Sequence, residues 1–172
     1  MGDIHETRRA GARLDGTLLR RATVSDPATS RYVSGRDVCV RSVTVDEVDL
    51  FLFSAACWLP HRIHYDRSFA LGEGLADVPV HGPLQATWLS DMVAGWADGE
   101  GGRLRGMTTR NLLSTFPGDR LTCVATIASA EPSGEDSGAV VSLDLAVRRD
   151  DVELVTAGTA VVEVPGPSRD GR

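Results

Sequence analysis

Three of the chain's four histidines, His61, His64 and His81, stand close in sequence to Arg62, Asp66 and the pair Gly82-Pro83. Imidazole exchanges a proton near neutral pH, so such a cluster suits general acid–base work on a weakly acidic proton. His61 and His64 are three residues apart and share a face if the segment is helical. Arg62 offers two parallel donors that match a carboxylate or phosphate. Asp66 has two readings: it polarises an imidazole, or it caps a helix. His81 also has two, contact with a ligand or a hydrogen bond that fixes its loop. A lone histidine is more often structural than catalytic, so residue types alone leave the site open.

The elements around the cluster are legible from spacing. Val38 and Val40 mark a short strand, and Thr44-x-x-Glu47 matches a capping box, which predicts a helix from Val45 to Ala56 with Val45, Val48, Leu52 and Ala55 on its buried face. Trp58-Leu59-Pro60 ends it, because proline disfavours helical geometry at the preceding residue. His61 to Ala76 reads as a short helix plus loop. Gly82-Pro83 opens a longer helix, since proline suits a first turn, and Asp98-Gly99 stops it. Leu84, Trp88, Leu89, Met92, Val93 and Trp96 form its apolar stripe.

After Gly102 the chain reads as consecutive strands, with turns at Pro117-Gly118-Asp119, Pro132-Ser133-Gly134 and Arg149-Asp150-Asp151. Leu121, Cys123, Ala125 and Ile127 alternate with other residues, as do Val141, Leu143, Leu145 and Val147, so each strand buries one face. A run from Val152 to Val164 closes the sheet. One long apolar helix followed by antiparallel strands is an α+β layout in which the sheet curls around the helix. The expected divisions are an irregular arm over residues 1–35, one domain over 36–165 and a flexible tail over 166–172.

Composition excludes several functions. The 172 residues suit one domain, and 42% hydrophobic with 24% charged residues is ordinary globular composition. A net charge of -6 argues against nucleic-acid binding, which needs clustered Lys and Arg. Arg8, Arg9, Arg13, Arg20 and Arg21 read as a solvated arm, the other reading being an arm folded over a phosphate-bearing ligand. Cys39, Cys57 and Cys123 are odd in number and lack metal-ligand spacing, so neither a disulfide framework, a zinc site nor a cofactor is expected, and a reducing cytoplasm fits. Cys57 is expected to be a buried, inert thiol. No apolar run approaches membrane-spanning length.

The segment from Phe53 to Asp66, ending Leu-Pro-His-Arg-Ile-His-Tyr-Asp, together with Val80-His-Gly-Pro-Leu-Gln-Ala-Thr87, resembles the MaoC-like hot-dog dehydratases and hydratases. It is most similar to their mesaconyl-CoA hydratase and mitochondrial-type 3-hydroxyacyl-thioester dehydratase branch. Arg110-Asn111-Leu112 and Phe116-Pro117-Gly118-Asp119 extend the likeness, which spans roughly residues 45–165. The resemblance implies a single hot-dog fold, an antiparallel sheet wrapped around a central helix, pairing as a dimer, and an acyl-CoA or acyl-carrier-protein thioester as substrate. It implies dehydration of 3-hydroxyacyl thioesters or the reverse hydration, in a fatty-acid or polyketide-type pathway.

By residue-for-residue match His64 becomes the base. Gly82 becomes the helix start whose free N–H holds charge building on the thioester oxygen, a preorganised site for an anion. His61, Arg62 and His81 become substrate-binding candidates. The commoner motif of these enzymes, Asp-x-Asn-Pro-x-His, is broken here, because Cys57 and Leu59 stand where Asp and Asn would be. Leucine cannot hydrogen-bond, so another group must orient the substrate. Otherwise the protein binds an acyl or polyketide-like ligand without dehydrating it, or hydrolyses the thioester.

Overall fold

The computed structural model describes residues 28–134 and 138–166. The arginine-bearing segment over 8–21 and residues 167–172 of the tail lie outside them. Strand β1 (Asp37–Val43) leads through a tight corner to helix α1 (Glu47–Ala56), a 3-10 turn over Arg62–His64 and helix α2 (Arg67–Gly72). The long helix α3 (Gly82–Gly99) follows, and then β2 (Arg103–Asn111), β3 (Leu121–Ser133), β4 (Gly138–Arg149) and β5 (Glu153–Val164). Every strand pairing is antiparallel, in the order β1-β3-β4-β5-β2. Register shifts between Asp37 and Cys39, Leu104 and Gly106, Ile127 and Ser129, and Val147 and Arg148 add local twist. The α+β expectation holds.

The strand alternation survives residue by residue. Leu121, Cys123, Ala125 and Ile127 of β3 and Val141, Leu143, Leu145 and Val147 of β4 are all buried. Asp150 and Asp151 take positive φ at the β4–β5 corner, where aspartate tolerates the left-handed region. The Pro132-Ser133-Gly134 turn falls later than expected, since β3 continues through Ser133. Leu89, Val93 and Ala97 of α3 pack onto the sheet in one cluster. Each such leucine contributes about 1.5–3 kcal/mol on burial.

Two helix expectations need correction. The line of α3 that disappears into the core is Gln85, Leu89, Val93 and Ala97, spaced by four, while Trp88, Met92 and Trp96 flank it half-buried. Helix α1 starts at Glu47, not Val45, because Asp46 caps it: Asp46 accepts from Asp49 N at 2.9 Å while Asp49 accepts from Asp46 N at 3.0 Å. This pair displaces the Thr44–Glu47 box. The buried face of α1 is Leu50 and Ser54, whereas Val48, Leu52 and Ala55 are exposed. The helix is apolar on several sides, so spacing alone did not select the face that docks.

Docking follows from a second, smaller cluster, Val45, Leu50, Ala70, Val78 and Val80, with Leu84 and Trp88 against it. It seats α1 and α2 over the start of α3. Trp88 touches both clusters and so ties this overhang to the central helix. The histidine cluster singled out by the sequence lies beneath the overhang. Before β1, Tyr32 is already buried with its ring edge-on to Trp96, so part of the arm packs on the domain.

Candidate active site

Asp66 fixes the entry to α2 by accepting from Phe69 N at 3.0 Å, so of its two readings the structure shows the cap. The chain therefore turns sharply after the 3-10 segment and presents His64 half-buried toward the start of α3. His64 Nδ1 lies 2.8 Å from the Pro79 carbonyl oxygen. A carbonyl only accepts, so Nδ1 carries the hydrogen and the neutral ring's Nε2 keeps a bare lone pair. Burial, and secondarily the nearby His61, hold the His64 pKa below 6.5, although the Pro79 bond opposes them. The free imidazole is thus the resting form at neutral pH.

His81 backs this ring. The two imidazoles stack with centroids 3.7 Å apart and planes 21° from parallel. His81 is 1% exposed, its Nε2 is 2.8 Å from Ser54 Oγ, and Phe53 meets its ring edge-on at 5.0 Å. Burial, with His64 adding to it, pushes the His81 pKa down to about 4, so two neutral rings face each other at pH 7. Ser54 and Phe53, from buried and half-buried faces of α1, therefore set the plane in which His64 lies.

Acid stability is the accessible consequence. An unfolded His81 binds a proton below about 6.5 whereas the folded one does so only below about 4, so between these values the unfolded state holds more protons. Stability is full above pH 6.5 and falls as pH drops toward 4, by about 3 kcal/mol at most from this group. Denaturant midpoints between pH 4.5 and 7.5 should show the decline, and His81→Phe should flatten it. An unaltered slope in the variant would assign the loss to other groups.

The start of α3 supplies the second half of the site. His81 is the N-cap but makes no side-chain cap bond; Pro83 has no N–H, and Leu84 N and Gln85 N reach His81 O at 3.1 and 3.3 Å. Gly82 N–H is left as the first-turn donor without an acceptor in the helix. A β carbon on Gly82 would overlap the Asn111 carboxamide nitrogen. The missing side chain thus admits Asn111 as well as any substrate. A cleft of about 250 Å³ opens here, lined by Val80, Gly82, Gln85, Asn111, Leu112, Leu113 and Ser114.

The other sequence candidates are less tightly placed. His61 is exposed, receives a long bond from Ile63 N at 3.4 Å, and its ring centre is 6.3 Å from that of His64. Arg62 pairs with Asp66 at 2.6 Å and lies over the Phe69 ring at 4.6 Å, so its donors already have a carboxylate. Cys57 is exposed, contrary to expectation, because α1 turns that end outward, and Trp58 beside it takes φ of 52° and is 85% exposed. Leu59 is exposed too. Ser54, Asn111 and Thr156 received no role from sequence. The available signals were Gln85, a polar residue at four-residue spacing from Leu89 in an apolar line, and the place of Asn111 in the family-like Arg110-Asn111-Leu112. Among the described residues, no group of three or more His, Cys, Asp or Glu side chains could hold a metal ion.

An antiparallel sheet wrapped on one long helix is the hot-dog fold. The solved (R)-hydratase of A. caviae involved in PHA biosynthesis superimposes with a TM-score of 0.67, covering 77% of this chain and 97% of that one at 22% identity. A MaoC-domain protein from Chloroflexus aurantiacus gives 0.70, covering 87% of this chain but 43% of that one, at 17% identity. The model of the family described as hydroxyacyl-thioester dehydratase type 2 matches residues 16–117, and the chain belongs to that family of hydro-lyases. It is 40% identical over 72 residues to the mesaconyl-C(4)-CoA hydratase of Chloroflexus aurantiacus, 41% of this chain, and spans about a quarter (26%) of that relative's length.

Proposed function

We propose that this chain interconverts 3-hydroxyacyl and 2-enoyl thioesters carried on coenzyme A or an acyl carrier protein, with His64 moving the proton and Gly82 N–H holding the carbonyl oxygen. One observation carries the reading: the Pro79 carbonyl forces the proton of neutral His64 onto Nδ1, leaving Nε2 to accept. In dehydration the α-carbon proton passes to Nε2, and charge develops on the thioester oxygen at the helix start. The β C–O bond then breaks, the imidazolium returns its proton to the departing hydroxyl, and water leaves with the base regenerated. Hydration is the same sequence reversed. No outside reductant or metal enters the balance.

Leu112 and Leu113, both exposed in the cleft, supply apolar wall for an acyl chain. The chain spans less than half of the Chloroflexus structure, and the β2 edge together with exposed Val48, Phe51 and Trp58 offers surface for pairing with a second copy. Three free cysteines suit a reducing cytoplasm, and among the described residues no helix is long and apolar enough to cross a membrane. The direct test adds the protein to crotonyl-CoA and follows the ultraviolet enoyl-thioester band. Loss of the band without release of free thiol is the expected result. Free thiol appearing in step with turnover would make it a thioesterase. An unchanged band across short, long and dicarboxylic enoyl thioesters would leave only ligand binding.

A further inference from the structure

Leu59 cannot hydrogen-bond a substrate, and the structure puts a different carboxamide beside the helix start. Gln85, Thr115 and Thr156 are buried polar residues at the first turn of α3, in the loop between β2 and β3, and on β5. Thr156 Oγ1 is 2.8 Å from Gln85 Oε1 and 2.9 Å from Asn111 Oδ1, and Gln85 Nε2 is 3.0 Å from Thr115 Oγ1. Thr156 has one hydroxyl proton for two acceptors. Thr115 is 0% exposed and needs an acceptor for its own. A half-turn of the Gln85 carboxamide, which exchanges two atoms of nearly equal size, meets both needs. Thr115 then donates to Gln85, Gln85 to Thr156, and Thr156 to Asn111 Oδ1, with one proton in each bond.

That chain fixes the outer end. Asn111 is at the exposed rim with its oxygen occupied, and its nitrogen turns to Gly82, where a β carbon would overlap it. Both Gly82 and Asn111 line the same cleft. Three buried polar residues, each costly to desolvate, thus converge on one surface carboxamide whose nitrogen has no hydrogen-bond partner among the described residues. Such an arrangement does nothing for the core that apolar residues would not do. It does orient a donor toward whatever approaches the helix start.

We propose that Asn111 Nδ2 is a second donor to the thioester carbonyl oxygen beside Gly82 N–H, oriented by Thr156 through Gln85 and Thr115. This rests on the reading of the site as an enoyl-thioester hydratase. Two preorganised donors stabilise more developing charge than one, and the carboxamide restores the substrate-orienting polar group that Leu59 cannot supply.

The test compares wild type with Asn111→Ala and Thr156→Val by crotonyl-CoA hydration, and by the infrared carbonyl stretch of carbonyl-labelled crotonyl-CoA bound to proteins that also carry His64→Ala. Asn111→Ala should lower kcat by about 10–100-fold with a smaller change in KM, and should move the bound carbonyl band back toward its free position. Thr156→Val, which frees the carboxamide without removing it, should give an intermediate band. Thermal midpoints identify any variant that has merely unfolded. Wild-type kcat in folded Asn111→Ala, or an unmoved carbonyl band, overturns the proposal. A wild type that binds but never turns over defeats the hydratase reading alone, and the band then decides about Asn111; no calorimetric binding of any thioester defeats both.

Discussion

His64→Ala should cut hydration of a short enoyl thioester by about 10²–10⁴-fold in kcat while leaving a folded protein, because the ring is half-buried and its hydrogen bond among the described residues is to the Pro79 carbonyl. The size follows from removing the proposed proton-transfer group, not from loss of packing. Substrate affinity should change little, since Gly82 N–H and the apolar cleft remain. Wild-type activity should also depend on pH in a definite sense. A histidine base works only when neutral, so kcat/KM should rise with pH through a limb centred below 6.5, the side to which burial and His61 push His64. His81 stays neutral across that limb because it protonates only near pH 4. Steady-state kinetics of the variant would lack the limb. Activity retained within a factor of three would remove His64 from the chemistry.

Gly82→Ala has the next largest effect and acts by two separable routes. A methyl group at this position overlaps the Asn111 carboxamide, so the side chain must swing out and release Thr156. Overpacking of this kind costs about 1–3 kcal/mol, less where the neighbour is a surface side chain free to move. The same methyl group crowds the N–H proposed to receive the substrate oxygen, and loss of one such donor typically costs about 10²–10³-fold in kcat. Adding Asn111→Ala to Gly82→Ala removes the clash. The double variant should regain most of the lost thermal midpoint and none of the lost kcat. Recovery of activity together with stability would mean that the glycine serves packing alone.

Little of the site's inner structure could be found without coordinates. The histidine spacing and the Gly82-Pro83 helix start were legible because each is a local signal: two imidazoles on one short turn, and a proline at a position that tolerates it. The stack of His64 on His81 was not, since it depends on α1 and α2 folding over the helix start. The face of α1 was misjudged for the same reason. Its apolar residues lie on more than one side, and only contact with Val78, Val80 and Ala70 selected Leu50 and Ser54 for burial. Ser54 looks like an ordinary small residue until the cluster places it 2.8 Å from His81.

The sequence by itself determined the strands and the central helix, because alternation and a proline-marked helix start are written in neighbouring residues; His64 was singled out only through the family resemblance. Tertiary structure alone decided which nitrogen of His64 is free, which residue occupies the space that Gly82 leaves, and that Asn111 is joined to the core through Thr156. The first arises between the 3-10 turn and the loop before α3, and the other two between α3, β2 and β5. Hydrogen bonds and contacts between distant segments follow no sequence period, so no local pattern could announce them.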